Sequence, residues 1–532
     1  MRCIKIPVLF IVVLTAVSTA CHAQNTTAID VQHYTFQLTL ADNTDTIKGT
    51  ATIKLKFLKH ATSIQFGLGS ISTNGKGMQV MHVIAAGKIL PFVHSNNILT
   101  VRLPENAKAG DSETVLIQYK GIPADGLIIS KNLFNKRTFF GDNWPDRAHY
   151  WLPCNDIPAD KASLEFIITT PSHYSIVSNG IKTEERFIND SVKLTHWKDD
   201  MPLPTKVMVI GAADFSVSAP GYAGTIPVTS WVYTENKEQG FHDYEKAKDI
   251  LQYFINYIGP YGYKKLANVQ SKTIFGGMEN AGAIFYFEGS VTGNGGVEDL
   301  LAHEIVHQWF GDMVTETNFK HLWLSEGFAT YLTDVYIESV YGTDSLHHRL
   351  IKERNKVIAF AAKAAVPVVD TSSDYMQLLN ANSYQKGAWI LHMLRNTVGD
   401  AVFKNIIREQ YKKFAGKNAS SEDFIATAER VSHKDLHSFF KQWLYQPGIP
   451  VITTAWKYTA AAKKVLVTAA QQQKVLFSFP MEFLLVTEKG AYLKTITVKN
   501  RNTAVSFAVK GKLLQVIPDP NCKLLWQQAI TQ

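Results

Sequence analysis

The stretch from Leu301 to Tyr331 reads LAHEIVHQWFGDMVTETNFKHLWLSEGFATY. It sets His303, Glu304 and His307 as H-E-x-x-H, with Glu326 following after eighteen intervening residues. On an α-helix, residues i and i+4 share one face, so both imidazoles can reach a single ion. Two imidazoles and one carboxylate are the ligand set of a catalytic zinc that keeps its fourth position for water. Glu326 has to come from a second helix that turns back on the first. Gly311 and Asp312 supply the break, and Leu322 to Tyr341 is apolar at helical spacing. Glu304 adjoins a ligand but points off the metal face, which makes it the candidate general base. The competing reading is a chance match on a core helix. A second glutamate at the required distance, inside its own helical pattern, favours the metal site.

Two further motifs flank this stretch. Gly276-Gly277-Met278-Glu279-Asn280 precedes it and Tyr384-Gln385-Lys386-Gly387 follows it. Together the three motifs resemble those of the gluzincin zinc aminopeptidases, peptidase family M1, the group of aminopeptidase N and leukotriene hydrolase. A weaker similarity extends from Pro153-Cys154 to the C-terminus. The resemblance implies one zinc ion per chain on His303, His307 and Glu326, with Glu304 as base. It implies that Tyr384 stabilises the oxyanion. It also implies that Gly276, Gly277, Met278, Glu279 and Asn280 bind substrate, with Glu279 meeting the free α-amine. The expected activity is hydrolysis of the N-terminal peptide bond of peptides with a free N-terminus. A non-catalytic binding protein has no use for His303, Glu304, His307, Glu326 and Tyr384 together. An added epoxide-hydrolase activity would call for the large helical domain that many members carry, where this sequence ends in β signals.

One element departs from the family pattern. Trp151-Leu152-Pro153-Cys154-Asn155-Asp156 resembles its F-P-C-x-D element. Just before it, relatives carry Gln-x-Gln/Glu-Pro, whose polar side chain helps bind the substrate amine. Here the sequence is Asp142-Asn143-Trp144-Pro145. Asp142 or Asn143 takes over that role and Trp144 walls the pocket, or Trp144 is plain core.

The remaining chain fits an exported, multidomain α+β protein. Its 532 residues exceed what one core holds. With 46% hydrophobic and 19% charged residues, the composition is that of a globular protein. The net charge of +8 is dispersed, which reads as solvated surface and not as a nucleic-acid footprint. Residues 1–23 read as a secretory signal peptide: Arg2 and Lys5, an apolar run from Val8 to Val17, then Cys21-His22-Ala23. Cleavage near Ala23 would export the chain, and lipid modification of Cys21 is the alternative. No later apolar run is long enough to span a bilayer. Cys154 and Cys522 remain in the mature chain and are expected to be free, buried thiols. The sequence carries no signal for oligomeric state.

Residues 24–215 read as an all-β domain. Tyr34, Phe36, Leu38 and Leu40 alternate with polar residues, as do Ala51, Ile53, Leu55 and Phe57. Leu164 to Thr170 and Val207 to Ile210 are expected strands. Residues 216–445 should form a thermolysin-like catalytic domain, a mixed sheet followed by helices. Asp243 to Ile258 is an expected helix stopped by Gly259-Pro260. Thr273 to Phe287 is an expected extended edge, where glycines let a peptide backbone come close. Helices are expected over 383–398, 401–411, 421–431 and 436–445. Gln446-Pro447-Gly448-Ile449-Pro450 breaks the pattern. Residues 446–532 should form a small β-sandwich with a hairpin joining Phe483–Thr487 to Tyr492–Val498.

Overall fold

The alternation at the N-terminus produces a large sheet with one apolar face. The computed structural model describes residues 28–529, so the segment 1–23 read as a signal peptide lies outside the described residues. Ile29–Thr39 pairs antiparallel with Ile47–Phe57 and parallel with Lys161–Pro171, inside an eight-stranded sheet. Tyr34, Phe36, Leu38, Ala51, Ile53 and Leu55 all point into its core. Strands Ala61–Gly67 and Ile98–Ala107 of a three-stranded sheet bring Ile64, Phe66, Leu99 and Val101 to the same core. A separate four-stranded sheet contains Arg137–Gly141 and Ile210–Ala213. The strand expected from Val207 starts later, at Ile210, because Thr205–Val207 forms a 3-10 turn. There the Asn179 side chain takes the Val207 carbonyl and the Val209 N–H, so this backbone is satisfied without a ladder.

The central region opens with a five-stranded sheet in the order Phe215–Ala223, Ile226–Tyr233, Leu266–Ser271, Ala283–Phe287, Gly277–Met278. Leu266–Ser271 is buried at every position, as a parallel strand covered on both faces must be. The segment from Thr273 is not one continuous edge. It doubles back at Gly282, whose φ of +66° suits glycine, and Ala283–Phe287 becomes an inner strand. Only Gly277–Met278, paired antiparallel with Phe285 and Tyr286, forms the open edge.

Nine α-helices are found among the described residues. They are α1 (Lys237–Asp243), α2 (Ala247–Tyr257), α3 (Glu298–His307), α4 (Trp323–Tyr341), α5 (Thr343–Ala361), α6 (Gly387–Val398), α7 (Asp400–Phe414), α8 (Ser421–Ser432) and α9 (His437–Tyr445). The helix expected over Asp243 to Ile258 starts later, at Ala247, and Asp243 is instead the last residue of α1. Asp243 closes α1 because its carboxylate accepts the N–H groups of Thr292, Gly293 and Gly295. Helix α4 is buried on all sides from Trp323 to Ile337, so it is the axis of this lobe rather than an amphipathic surface helix. It packs against α3 on one side and α6 on another.

Residues beyond the break at Pro447-Gly448 form a four-stranded and a three-stranded sheet. Val465 and Val467 of one and Met481, Phe483 and Leu485 of the other are buried in one core. The expected hairpin is present, with Phe479–Thr487 paired to Gly490–Val498. Cys154 and Cys522 are buried and free. No helix among the described residues is long and apolar enough to cross a membrane.

Helices α4 and α6 meet through two glycines. A Cβ on Gly327 would lie 2.9 Å from the Gly387 Cα and 3.2 Å from the Ser383 carbonyl oxygen. Alanine at 327 gains about 1 kcal/mol of helix propensity. Forcing two backbones apart in a packed core costs about 1–3 kcal/mol. The Gly327→Ala variant should therefore be less stable than the wild type in thermal unfolding, despite its better helix former.

Candidate active site

The end of α3 and the start of α4 bring three donor atoms together. His303 Nε2 and His307 Nε2 lie 3.2 Å apart. Glu326 Oε2 is 3.4 Å from the first and 3.3 Å from the second. The centre of such a triangle is about 1.9 Å from each corner, close to the roughly 2.0–2.2 Å of zinc–nitrogen and zinc–oxygen bonds. The donors are of the right kind: His307 Nδ1 lies 3.1 Å from the Phe310 carbonyl oxygen, which can only accept. That fixes the N–H on Nδ1 and leaves the Nε2 lone pair for an ion. Ser325 Oγ, 3.0 Å from the same nitrogen, adds to the brace. These residues fit a metal ion and form a potential metal-binding group.

The turn between the helices depends on Gly311. Its φ is +130°, and a Cβ there would sit 2.5 Å from Ser325 Oγ and 3.0 Å from His307 Nδ1. Any side chain would push the ligand histidine off its brace.

Charge around the triad is strongly negative. Glu279 and Glu304 are buried beside it, and Glu326 is buried within it. Burial pushes the Glu304 carboxyl up to about 8, aided by Glu279 and Glu326 and opposed by His307. Burial disfavours a charged His307, yet Glu326, Glu279 and Glu304 hold its imidazole up at about 10. Burial also works against the Glu326 anion, but His307 and His303 keep this carboxyl well below its ordinary range. Both shifts express one demand, for a cation among these carboxylates.

The edge strand runs across this group. A Cβ on Gly277 would lie 2.3 Å from Glu304 Oε1, so only glycine lets the strand pass the carboxylate. Glu279 is 5% exposed and its Oε1 has no hydrogen-bond partner. Burial is the main cause lifting its carboxyl above the usual range. The backbone there is clamped by Gln308, which donates to the Glu279 carbonyl at 2.6 Å and accepts from the Gly282 N–H at 2.7 Å.

Tyr384 sits on a π-helical turn, Asn382–Lys386, directly before α6. Its ring stacks near the His303 ring, 6.0 Å between centroids. Burial, then the carboxylates of Glu326, Glu279 and Glu304, raise its phenol well above the ordinary value, so it stays a hydrogen-bond donor. The contact of Gly387 with Gly327 is what brings this turn against the helix of Glu326.

His303, Glu304, His307, Glu326, Gly276, Gly277, Met278, Glu279 and Tyr384 line one cavity of about 280 Å³. Asn280 does not line it; its side chain is buried away from the cavity and unpaired on both atoms. Neither Asp142 nor Asn143 reaches it. Asp142 accepts from Arg147, the Thr273 hydroxyl and the Ile274 N–H, and so braces the approach to Gly276. Asn143 is used up on the Thr205 and Met208 carbonyls and the Trp151 indole. Trp144 does line the cavity, edge-on to Phe275 and Phe319. Phe275, Leu300 and Leu379 complete the walls. Phe275, Leu300 and Leu379, and the brace residues Gln308, Ser325 and Phe310, carry no signal in the sequence, whereas Trp144 is the wall expected there. Gln308 adjoins H-E-x-x-H, but neither spacing nor residue type marks a clamp.

The family models match most of the chain: the peptidase M1 N-terminal domain over residues 30–207 and the peptidase family M1 domain over residues 242–443. The glutamyl aminopeptidase of Sus scrofa is 28% identical over 328 residues, 58% of this chain and 35% of that protein. The probable aminopeptidase 1 of Sulfurisphaera tokodaii is 26% identical over 443 residues, 80% of this chain and 54% of that one. The chain thus spans about a third to about half the length of these relatives. Its fold is shared by a mutant M1 zinc metallopeptidase of Deinococcus radiodurans bound to a Tyr-Ser-Ala substrate. There the TM-score is 0.69 at 21% identity, over 80% of this chain and 95% of that one.

Removing one of three donors should be visible in metal content alone. After dialysis against metal-free buffer, elemental analysis should find a divalent metal retained by the wild type and lost from Glu326→Ala.

Proposed function

The chain belongs to peptidase family M1, and on that premise we propose that it is a zinc-dependent aminopeptidase removing N-terminal residues from peptides. The observation that carries the reading is Glu279. A buried carboxylate with one oxygen left without a hydrogen-bond partner, in the same cleft as the metal triad, has room for a further cation. A peptide brings one in its α-ammonium group, and only at its first residue. An endopeptidase site would gain nothing from that charge.

One zinc ion per chain would be held by His303, His307 and Glu326. Bound there, it supplies Lewis acidity that polarises the scissile carbonyl and lowers the pKa of its water to roughly 7. Glu304 takes the proton of the attacking water and hands it to the leaving amine. Its carboxylate is buried in the cleft next to His303, within reach of a water on the triad. The Tyr384 hydroxyl donates to the developing oxyanion, a role worth about 3–4 kcal/mol at known sites. The open edge at Gly276, Gly277 and Met278 receives the substrate backbone as an added strand. The aromatic and aliphatic walls dry the cleft and strengthen each of these interactions. The composition of residues 1–23 supports a place of action outside the cytoplasm.

Replacing Glu304 by glutamine keeps the shape and removes the base. That variant should retain its metal and lose turnover by roughly 100- to 10,000-fold; near-normal turnover of the metal-loaded variant would refute the assignment.

The exopeptidase reading is tested with paired substrates, the same peptides with free and with acetylated N-termini. Free-amine peptides should be shortened by one residue and the blocked ones spared. Glu279→Ala should lower kcat/KM for the free-amine set and narrow the gap. Efficient internal cleavage of blocked peptides by the wild type would make this an endopeptidase.

A further inference from the structure

Lys386 is wholly buried, on the turn that carries Tyr384, and it makes no use of the cavity. No carboxylate pairs with it among the described residues. Its ammonium donates instead to the Gly448 carbonyl at 2.9 Å and the Gln446 carbonyl at 3.4 Å. Burying an ammonium on two neutral acceptors is costly, and a surface lysine would avoid that cost. Burial accordingly pulls its pKa down to about 7.

The geometry explains what is gained. Residues two apart on a helical turn face nearly opposite ways, so Tyr384 addresses the cleft while Lys386 addresses the chain behind it. That chain is the break Gln446-Pro447-Gly448 between the helical lobe and the C-terminal sheets. The break is itself anchored: the Pro450 carbonyl accepts the Gln527 N–H of the last strand, and the Val451 N–H donates to Gln473. The same turn is held on its flank by Asn382, which donates to the Val366 and Pro367 carbonyls. The next residues, Val368 and Val369, hydrogen-bond to the Leu444 carbonyl just ahead of the break. Gly387 fixes the front of the turn against Gly327, and Lys386 fixes its back.

We propose that Lys386 is a positioning residue through which the interdomain linker and the C-terminal β domain hold the Tyr384 hydroxyl in register with the reacting centre. The proposal rests on the aminopeptidase reading and on the role given there to Tyr384. Methionine has similar bulk and no donors. In full-length Lys386→Met, kcat should fall about 10- to 100-fold, the scale of a small misplacement, with KM changed less than about threefold. Metal content should be unchanged. The deciding measurement is a double-mutant cycle with Tyr384→Phe. With the phenol hydroxyl already gone, adding Lys386→Met should change kcat less than about twofold. An equal loss in both backgrounds would overturn the proposal and leave Lys386 a stability residue. Should Lys386→Met not fold, Gly448→Ala tests the same link from the other side. Glycine there has φ of +78° and open space around it, so alanine strains the linker without a clash. Its kcat loss should likewise vanish in the Tyr384→Phe background, and persistence of the loss there would count against the proposal. A wild type inactive on aminoacyl substrates refutes the enzyme reading itself. An active wild type with a fully active Tyr384→Phe refutes only the tyrosine's role and, with it, this link.

Discussion

Three carboxylates and two imidazoles share one buried cleft, and that charge must be balanced. Taking an ion out of water costs several kcal/mol even after the protein relaxes. Glu279, Glu304 and Glu326 are nevertheless kept there by α3, α4 and the edge strand, whose backbones have no freedom to withdraw them. The arrangement becomes favourable when positive charge enters the cleft from outside. Gly311, Gly277, Gly327 and Gly387 serve this constraint, since each permits an approach that a side chain would block.

The N-terminal domain gives the cavity one wall, Trp144, and otherwise braces the site from behind. Asp142 holds the backbone ahead of Gly276, and Asn179 holds the Ala281 carbonyl just after the Glu279 turn. Lys161, from the same domain, donates to the Asp312 and Met313 carbonyls behind the metal helix. Lys206 forms a buried pair with Glu316 at 2.7 Å, between the domains. These polar links run beside a buried apolar seam in which Phe140 meets Phe285 and Trp144 meets Phe319.

The metal group was legible because the helical period alone dictates it: four residues apart means one face. The N-terminal core was legible for the matching reason, since alternation at Tyr34, Phe36 and Leu38 has no other reading. What escaped was long-range. Asp142 looks like a pocket carboxylate until its partners Arg147 and Thr273 are seen, 131 residues away in the second case. The doubling back at Gly282 and the end of α1 at Asp243 turn on hydrogen bonds to residues far along the chain. Tyr384 was expected on a regular helix. One extra residue in its turn, absorbed by the contact with α4, carries no mark in local composition. The late start of the strand at Ile210 has the same origin, a side chain substituting for a sheet neighbour.

Cys154 and Cys522 bear on where such a chain can be made. Both thiols are buried, and burial lifts Cys154 well above and Cys522 up to about 12, so neither offers much thiolate near neutral pH. A thiol without thiolate is slow to react with oxidants or with other disulfides. The described fold contains no cross-link whose formation must be timed, and none that a reducing environment could cut. Within the described residues, neither thiol is placed to take part in thiol–disulfide exchange.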